Sequence, residues 1–287
     1  MPQVTANLED TTFIGEIRED LIEHTKGRFM VITGPPGESK SMTAARICEK
    51  VDDSFSMDQV AIGKTTDFIK LLKKAQNGAY KNGNAILGDE MGVIIPAREW
   101  NNAQNRVMSL IFQTIRKMGL LIVMTVPAKR MIDIHSQILM KNYGNARYID
   151  REHNRSVFKF YEVYYDDWND NLGRHLLKDR NGKKVDEWHM ALPQRLDLDT
   201  YDKKKDELLG YLFTRAEDIF TELEEADGNN GGSKKATKKE TVYPITYRVM
   251  NELHLTQTEA CRVTGADRSE FNRWYRGFGG AEASAIT

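Results

Sequence analysis

The chain has 287 residues, 40% of them hydrophobic and 29% charged, which is apolar enough to bury a sizeable core and excludes a disordered tract. Its 41 basic and 42 acidic side chains leave a formal net charge of −1, so global charge points to no nucleic-acid or membrane partner, and local charge has to be read separately. Two distant cysteines, Cys48 and Cys261, exclude a disulfide framework and a cysteine-based metal site.

Residues 1–10 carry neither the basic start nor the apolar run of a signal peptide, and no stretch reaches the roughly 18 apolar residues of a membrane span. A cytoplasmic location is expected. In residues 12–25, Phe13, Ile14, Ile17, Leu21 and Ile22 recur at helical spacing. Residues 29–33 form an apolar run that reads as a buried strand, and residues 40–51 follow as a helix. A second helix is expected over 67–76, closed by Gly78, and a second buried strand over 85–87. A long helix over 98–118 carries Val107, Leu110, Ile111 and Ile115 on one stripe, and a third buried strand covers 120–125. Strands alternating with helices imply a parallel sheet covered on both faces.

Past residue 145 the texture becomes β-rich and aromatic, with strands expected over 146–149 and 157–165. A hairpin is expected over 174–188 about Asn181 and Gly182. Phe158, Phe160, Tyr161, Tyr164, Tyr165 and Trp168 alternate as core and amphipathic face, a better account than base stacking. A charged helix over 201–225 places Leu208, Leu209, Leu212 and Phe213 on its apolar side. Residues 226–241 combine glycine and asparagine breakers with lysines and read as a flexible linker. A compact helical segment over 242–278 follows. The expected fold class is α/β: a parallel sheet with a β-rich extension over 1–225, the linker, and a small all-α domain over 242–278.

The segment Gly34, Pro35, Pro36, Gly37, Glu38, Ser39, Lys40 and Ser41 lies between a strand and a helix, with Met42 next on that helix. It follows the pattern G-x-x-x-x-G-K-[ST] except that Ser39 stands where the second glycine belongs. Such a loop turns backbone N–H groups toward phosphate oxygens in front of a helix N-terminus, which favours negative charge. Lys40 would reach the β- and γ-phosphates of ATP, and Ser41 would hold Mg²⁺. The bland alternative is a strand–turn–helix junction that merely contains Lys and Ser. One βα unit later, the second strand runs into Asp89 and Glu90. A nucleotide hydrolase needs one carboxylate near the metal, here Asp89, and one to orient attacking water, here Glu90.

The stretch after Glu90 supplies an Arg116-bearing helix end, a strand finishing at Thr125, Val126 and Pro127, the step Asp133-Ile134, and then Asn145, Ala146 and Arg147. Over residues 28–150 this order resembles the FtsK–HerA group of P-loop DNA-pumping motors, which is related to the Zot-type assembly proteins and viral genome-packaging ATPases. The resemblance implies Thr125 as a polar sensor, although Val126 replaces the usual glutamine. It also implies Arg147 as an arginine finger offered to a neighbouring subunit, with Arg116, Arg130 and Arg151 as rivals. A homo-oligomeric ring, usually a hexamer, and a virus- or plasmid-encoded setting follow from the same resemblance.

In residues 255–275, Thr256 with Glu259 forms a capping box, Gly265 makes a turn, and a second short helix starts at Asp267. The spacing resembles a helix-turn-helix. Arg268, Ser269, Asn272, Arg273 and Arg276 suit phosphate and base-edge contacts. From Lys234 to Arg276 there are nine basic and five acidic residues, a local excess of four. A small bundle that binds protein is the alternative reading of this segment. The function expected is ATP-driven movement or packaging of double-stranded DNA. The rivals are an assembly or secretion ATPase acting on protein, with a DNA-transfer or virion-assembly machine as partner, and a nucleotide-controlled DNA-binding regulator.

Overall fold

A computed structural model describes residues 5–8, 12–91, 116–132, 134–166, 168, 171–179, 181–228, 242–252 and 257–278. Most of the helix expected over 98–118 lies outside these residues, as do Asp133, Thr256 and residues 229–241 of the expected linker. The chain divides into two units, Met1–Lys204 and Lys205–Thr287.

The first unit is built on a sheet whose strands are β1 (Thr5–Asn7), β2 (Arg28–Thr33), β3 (Val60–Ile62), β4 (Ala85–Asp89), β5 (Leu121–Val126), β6 (Asn142–Asp150), β7 (Arg155–Asp166), β8 (Asn171–Leu176) and β9 (Glu187–Ala191). The order is β1-β9-β7-β6-β2-β5-β4-β3, with β8 also on β7. From β6 to β3 every pairing is parallel, and β7 runs antiparallel to β6, β8 and β9. The β-rich extension expected past residue 145 is thus continuous with the parallel sheet. Strands β1 and β3 were not legible in the sequence, because three residues are too few to display a period of two.

The helices of this unit are α1 (Thr12–Ile22), α2 (Lys40–Val51), α3 (Thr65–Gln76), a short α4 (Ile134–Ile138) and the start of α5 (Leu198–Gly228). Strand alternation sorts the two faces of the sheet. Phe29, Val31, Ile86, Ile122, Met124 and Val126 form one apolar cluster with Phe68, Leu71 and Leu72 of α3. Asp89 and Thr125 belong to the opposite set of alternating positions. Gly88, which interrupts the apolar run of β4, is accounted for by space on the α3 face: a Cβ there would sit 2.8 Å from Met91 Cγ and 3.1 Å from Phe68. On β7, Phe158 and Phe160 are fully buried, whereas Tyr164, which alternation places on the same face, is exposed and stacks on His175, so the alternating reading holds only for the first part of the strand.

Helix α5 starts three residues earlier and ends three later than its expected bounds, and the boundary between the units falls inside it. Its apolar side departs from expectation: Leu208 is buried, but Leu209 and Phe213 are 51% and 68% exposed. At 31 residues this helix is about 46 Å long. The second unit also holds α6 (Val242–Glu252), α7 (Gln257–Thr264) and α8 (Arg268–Phe278). Tyr243, Cys261, Ala266 and Phe271 make its core, with Trp274 packed against them. No described helix is long and apolar enough to cross a membrane.

Candidate functional site

The carboxyl ends of β2, β4 and β5 lie side by side, because β5 pairs with both of the other two. In open α/β sheets this end of the strands is where ligands bind. Strand β2 delivers Gly34, whose N–H donates to the Pro127 carbonyl at 3.3 Å. Gly34 has a φ of 150°, and a Cβ on it would lie 2.4 Å from Ala146 Cβ, so no larger residue fits between the loop and β6.

The loop then alternates hand. Gly37 has a φ of 83°, and Ser39 is left-handed at φ 54° and ψ 25°, immediately before α2. Ser39 therefore adopts the conformation for which glycine is the default, and which costs a side-chain-bearing residue about 1–2 kcal/mol. Alternation of this kind turns successive N–H groups to one side and makes an anion-binding concavity. Pro35, Pro36 and Gly37 are exposed, and Glu38, Ser39, Lys40, Ser41 and Met42 are half-buried. The Lys40 ammonium donates to the Pro35 carbonyl across the loop at 2.6 Å.

Asp89, at the end of β4, is fully buried. The Thr125 hydroxyl donates to Asp89 Oδ1 at 2.5 Å and accepts the Glu90 N–H at 2.9 Å. The Asp89 carbonyl accepts the Gly63 N–H at 2.9 Å, so the peptide joining the two acids is held at both ends. Glu90 is turned into the left-handed region, with φ 56°. Thr125 accordingly acts as a clamp on both acids, a relation that the spacing of the sequence does not reveal. Arg147 is exposed at a bulge in the β6–β7 pairing, next to the Ala146 that packs on Gly34, and Arg130 and Arg151 are exposed as well.

One residue of the site was not anticipated. Tyr201, in the first turn of α5 and 1% exposed, donates its hydroxyl to Asp89 Oδ2 and has the Ser41 hydroxyl near it. Burial first, and then the Asp89 carboxylate, push its ionisation far above the ordinary tyrosine range, so it remains an O–H donor. Nothing in the sequence marks it, since it is a lone aromatic in a charged segment, 112 positions from Asp89.

In the second unit, Asp267 caps α8 by accepting the backbone N–H groups of Ser269 and Glu270 and the Ser269 hydroxyl. Arg268 and Arg273 are exposed and Asn272 is half-buried, while the side chain of Arg276 lies outside the described residues. Gly265, between α7 and α8, has a φ of 67°. The Glu270 carboxylate accepts the Tyr243 hydroxyl at 2.7 Å, and burial together with that carboxylate pushes the tyrosine pKa up to about 12. Among the described residues, no cluster of histidine, cysteine or acidic side chains is arranged to hold a metal by itself.

No family model and no curated protein matches the sequence. Among solved structures, the chain is similar to the N-terminal domain of zonular occludens toxin from Neisseria meningitidis, at 15% identity and a TM-score of 0.33, over 54% of this chain and 95% of that one. It is similar to B204, the DNA-packaging ATPase from Sulfolobus turreted icosahedral virus, at 10% identity and a TM-score of 0.35, over 52% and 96% of the two chains. The genome packaging NTPase B204 of Sulfolobus turreted icosahedral virus 2, in complex with ATP-gammaS, is similar at 9% identity and a TM-score of 0.35, over the same shares.

Proposed function

We propose that the chain is a P-loop ATPase that binds ATP and Mg²⁺ at the carboxyl ends of β2, β4 and β5, and that turnover moves or packages double-stranded DNA through a homo-oligomeric ring. The observation that carries the ATPase reading is the buried Asp89 carboxylate at the end of β4, held by Thr125 and Tyr201, beside a loop with left-handed Gly37 and Ser39 at the start of α2.

The residues suit the roles. The N–H groups of residues 37–41 and the first turn of α2 bind phosphate oxygens, and Lys40 swings from the Pro35 carbonyl to the β- and γ-phosphates. Ser41 and Asp89 form an all-oxygen donor pair of the kind that a hard divalent cation takes. Bound Mg²⁺ supplies charge neutralisation on the phosphate oxygens. Glu90 orients the attacking water, and Thr125 fixes Glu90 and Asp89 relative to each other. Arg147, exposed on β6, is the arginine proposed to reach a neighbouring subunit. The exposed Arg268 and Arg273 on α8, with Ser269, Asn272 and Arg276, support the choice of DNA as the partner.

The test is steady-state ATP hydrolysis with and without duplex DNA, for the wild type and for Glu90→Gln. DNA-stimulated, salt-sensitive turnover that Glu90→Gln abolishes supports the motor. Turnover indifferent to every nucleic acid leaves the ATPase and shifts its substrate to a protein. Absence of turnover under both conditions overturns the ATPase and favours a DNA-binding regulator.

A further inference from the structure

We infer that Tyr201 is a positioning residue of the proposed nucleotide site: its phenol sits between Ser41 and Asp89 and sets the Asp89 carboxylate for the divalent cation. This inference rests on the ATPase reading and goes beyond it, because Tyr201 belongs to neither the phosphate loop nor the strand ends.

Three observations carry it. First, Asp89 is fully buried, and its two carboxylate oxygens are held by different donors, Thr125 on Oδ1 and Tyr201 on Oδ2. A carboxylate gripped at both oxygens has its plane fixed, which is the preorganisation that a metal ligand needs. Second, the Ser41 hydroxyl lies near enough to the same phenol to act on its ionisation, so Tyr201 stands beside both groups proposed to hold the cation. Third, Tyr201 is itself positioned. Asp197 caps the first turn of α5 through the Thr200 N–H at 3.1 Å and the Thr200 hydroxyl at 2.6 Å. The segment just before that turn is bound to α2, the helix that carries Ser41, through the Glu49 carboxylate. The cation site is therefore built from four places in the chain, and the fourth is a helix start that follows the other three, 112 positions from Asp89.

Removing the phenol oxygen while keeping the ring should loosen Asp89 without touching the phosphate loop. Nucleotide binding without metal should then be spared, and its dependence on metal should change. The experiment uses the full chain and fluorescent N-methylanthraniloyl-ADP, titrated in EDTA and at rising Mg²⁺. For Tyr201→Phe we expect an unchanged affinity in EDTA and an Mg²⁺ midpoint raised about tenfold. That shift corresponds to about 1.4 kcal/mol, close to the lower end of the range for a hydrogen bond to a charged group. Placing 4-aminophenylalanine at position 201, which restores a donor, should return the midpoint to the wild-type value. Placing 4-fluorophenylalanine there fills the oxygen's volume without a donor and should reproduce the shift; it carries the comparison if Tyr201→Phe does not fold.

An Mg²⁺ midpoint within twofold of the wild type overturns the inference and leaves the nucleotide site standing. Equal weakening with and without Mg²⁺ also overturns it, because the phenol then serves only to pack the site. A wild-type chain that binds no nucleotide in either condition overturns the ATPase reading itself, and this inference with it.

Discussion

The Glu49 carboxylate on α2 accepts the backbone N–H of Arg195 at 2.6 Å, across 146 positions of sequence. The same carboxylate accepts the N–H groups of Gln194 and Leu196 and pairs with the Arg46 guanidinium at 3.1 Å, with both side chains almost wholly buried. Arg195 in turn donates its guanidinium to the carbonyls of Glu49, Asp52 and Asp53 at the end of α2, where helix carbonyls lack intrahelical partners. The two chain segments cap each other, and the start of α5 is thereby tied to the helix behind the phosphate loop.

Glu49→Ala should therefore be among the costly single changes, at about 3–5 kcal/mol, since it leaves a buried guanidinium without its partner and backbone donors unsatisfied. The effect is also pH-dependent. Burial alone would raise the Glu49 pKa, but the Gln194 and Arg195 N–H groups, Arg46 and the Leu196 N–H outweigh it and hold the carboxyl below its usual range. A depressed folded-state pKa stabilises the native chain above the ordinary glutamate value of about 4.3, and that stability is lost as pH falls through the folded value. Asp52, lowered by Ser54, Ala85 and Gln59, contributes in the same direction. Urea midpoints from pH 7 down to about pH 3 should fall for the wild type and fall less steeply for Glu49→Gln. Parallel slopes would contradict this account.

Ser39→Gly should stabilise the chain by up to about 1 kcal/mol, because glycine removes the left-handed penalty at φ 54°, less the entropy that it adds to the unfolded state. Ser39→Val should destabilise it by about 1–2 kcal/mol, since a β-branched residue suits that region worst. Equilibrium denaturation of the pair reads both signs. A loss of stability in Ser39→Gly would mean that the serine side chain holds something in place.

Gly34→Ala should cost about 1–3 kcal/mol through the 2.4 Å clash with Ala146 Cβ. Ala146→Gly in the same chain should return part of that loss, because the two positions compete for one space. A double-mutant cycle with zero coupling energy would show that the loop does not press on β6.

Thr125→Val should lower stability by about 2–3 kcal/mol, since the isosteric change removes the donor to Asp89 and the acceptor for the Glu90 N–H in a buried site. Thr125→Ser should restore most of it. Thermal unfolding of the three proteins checks the order, and a valine variant as stable as the wild type would refute the clamp.

What the sequence determined by itself was local. Strands β2, β4 and β5 announce themselves as short apolar runs, and α2 begins and ends where its pattern does, at Lys40 and Val51. The glycine-rich loop and the placing of Asp89 and Glu90 at a strand end are likewise readable, because they depend on neighbours within a few positions. Tertiary structure alone decided the rest. It set β5 between β2 and β4, which brings Thr125 onto Asp89. It gave Ser39 its left-handed turn, made β6 to β9 part of the same sheet, and brought Tyr201 and Glu49 to partners more than a hundred residues away. The physical reason is that periodicity and turn chemistry are imposed by bonds along the chain, whereas a buried hydroxyl finds its carboxylate only after the sheet has chosen its strand order, and no local pattern encodes that choice.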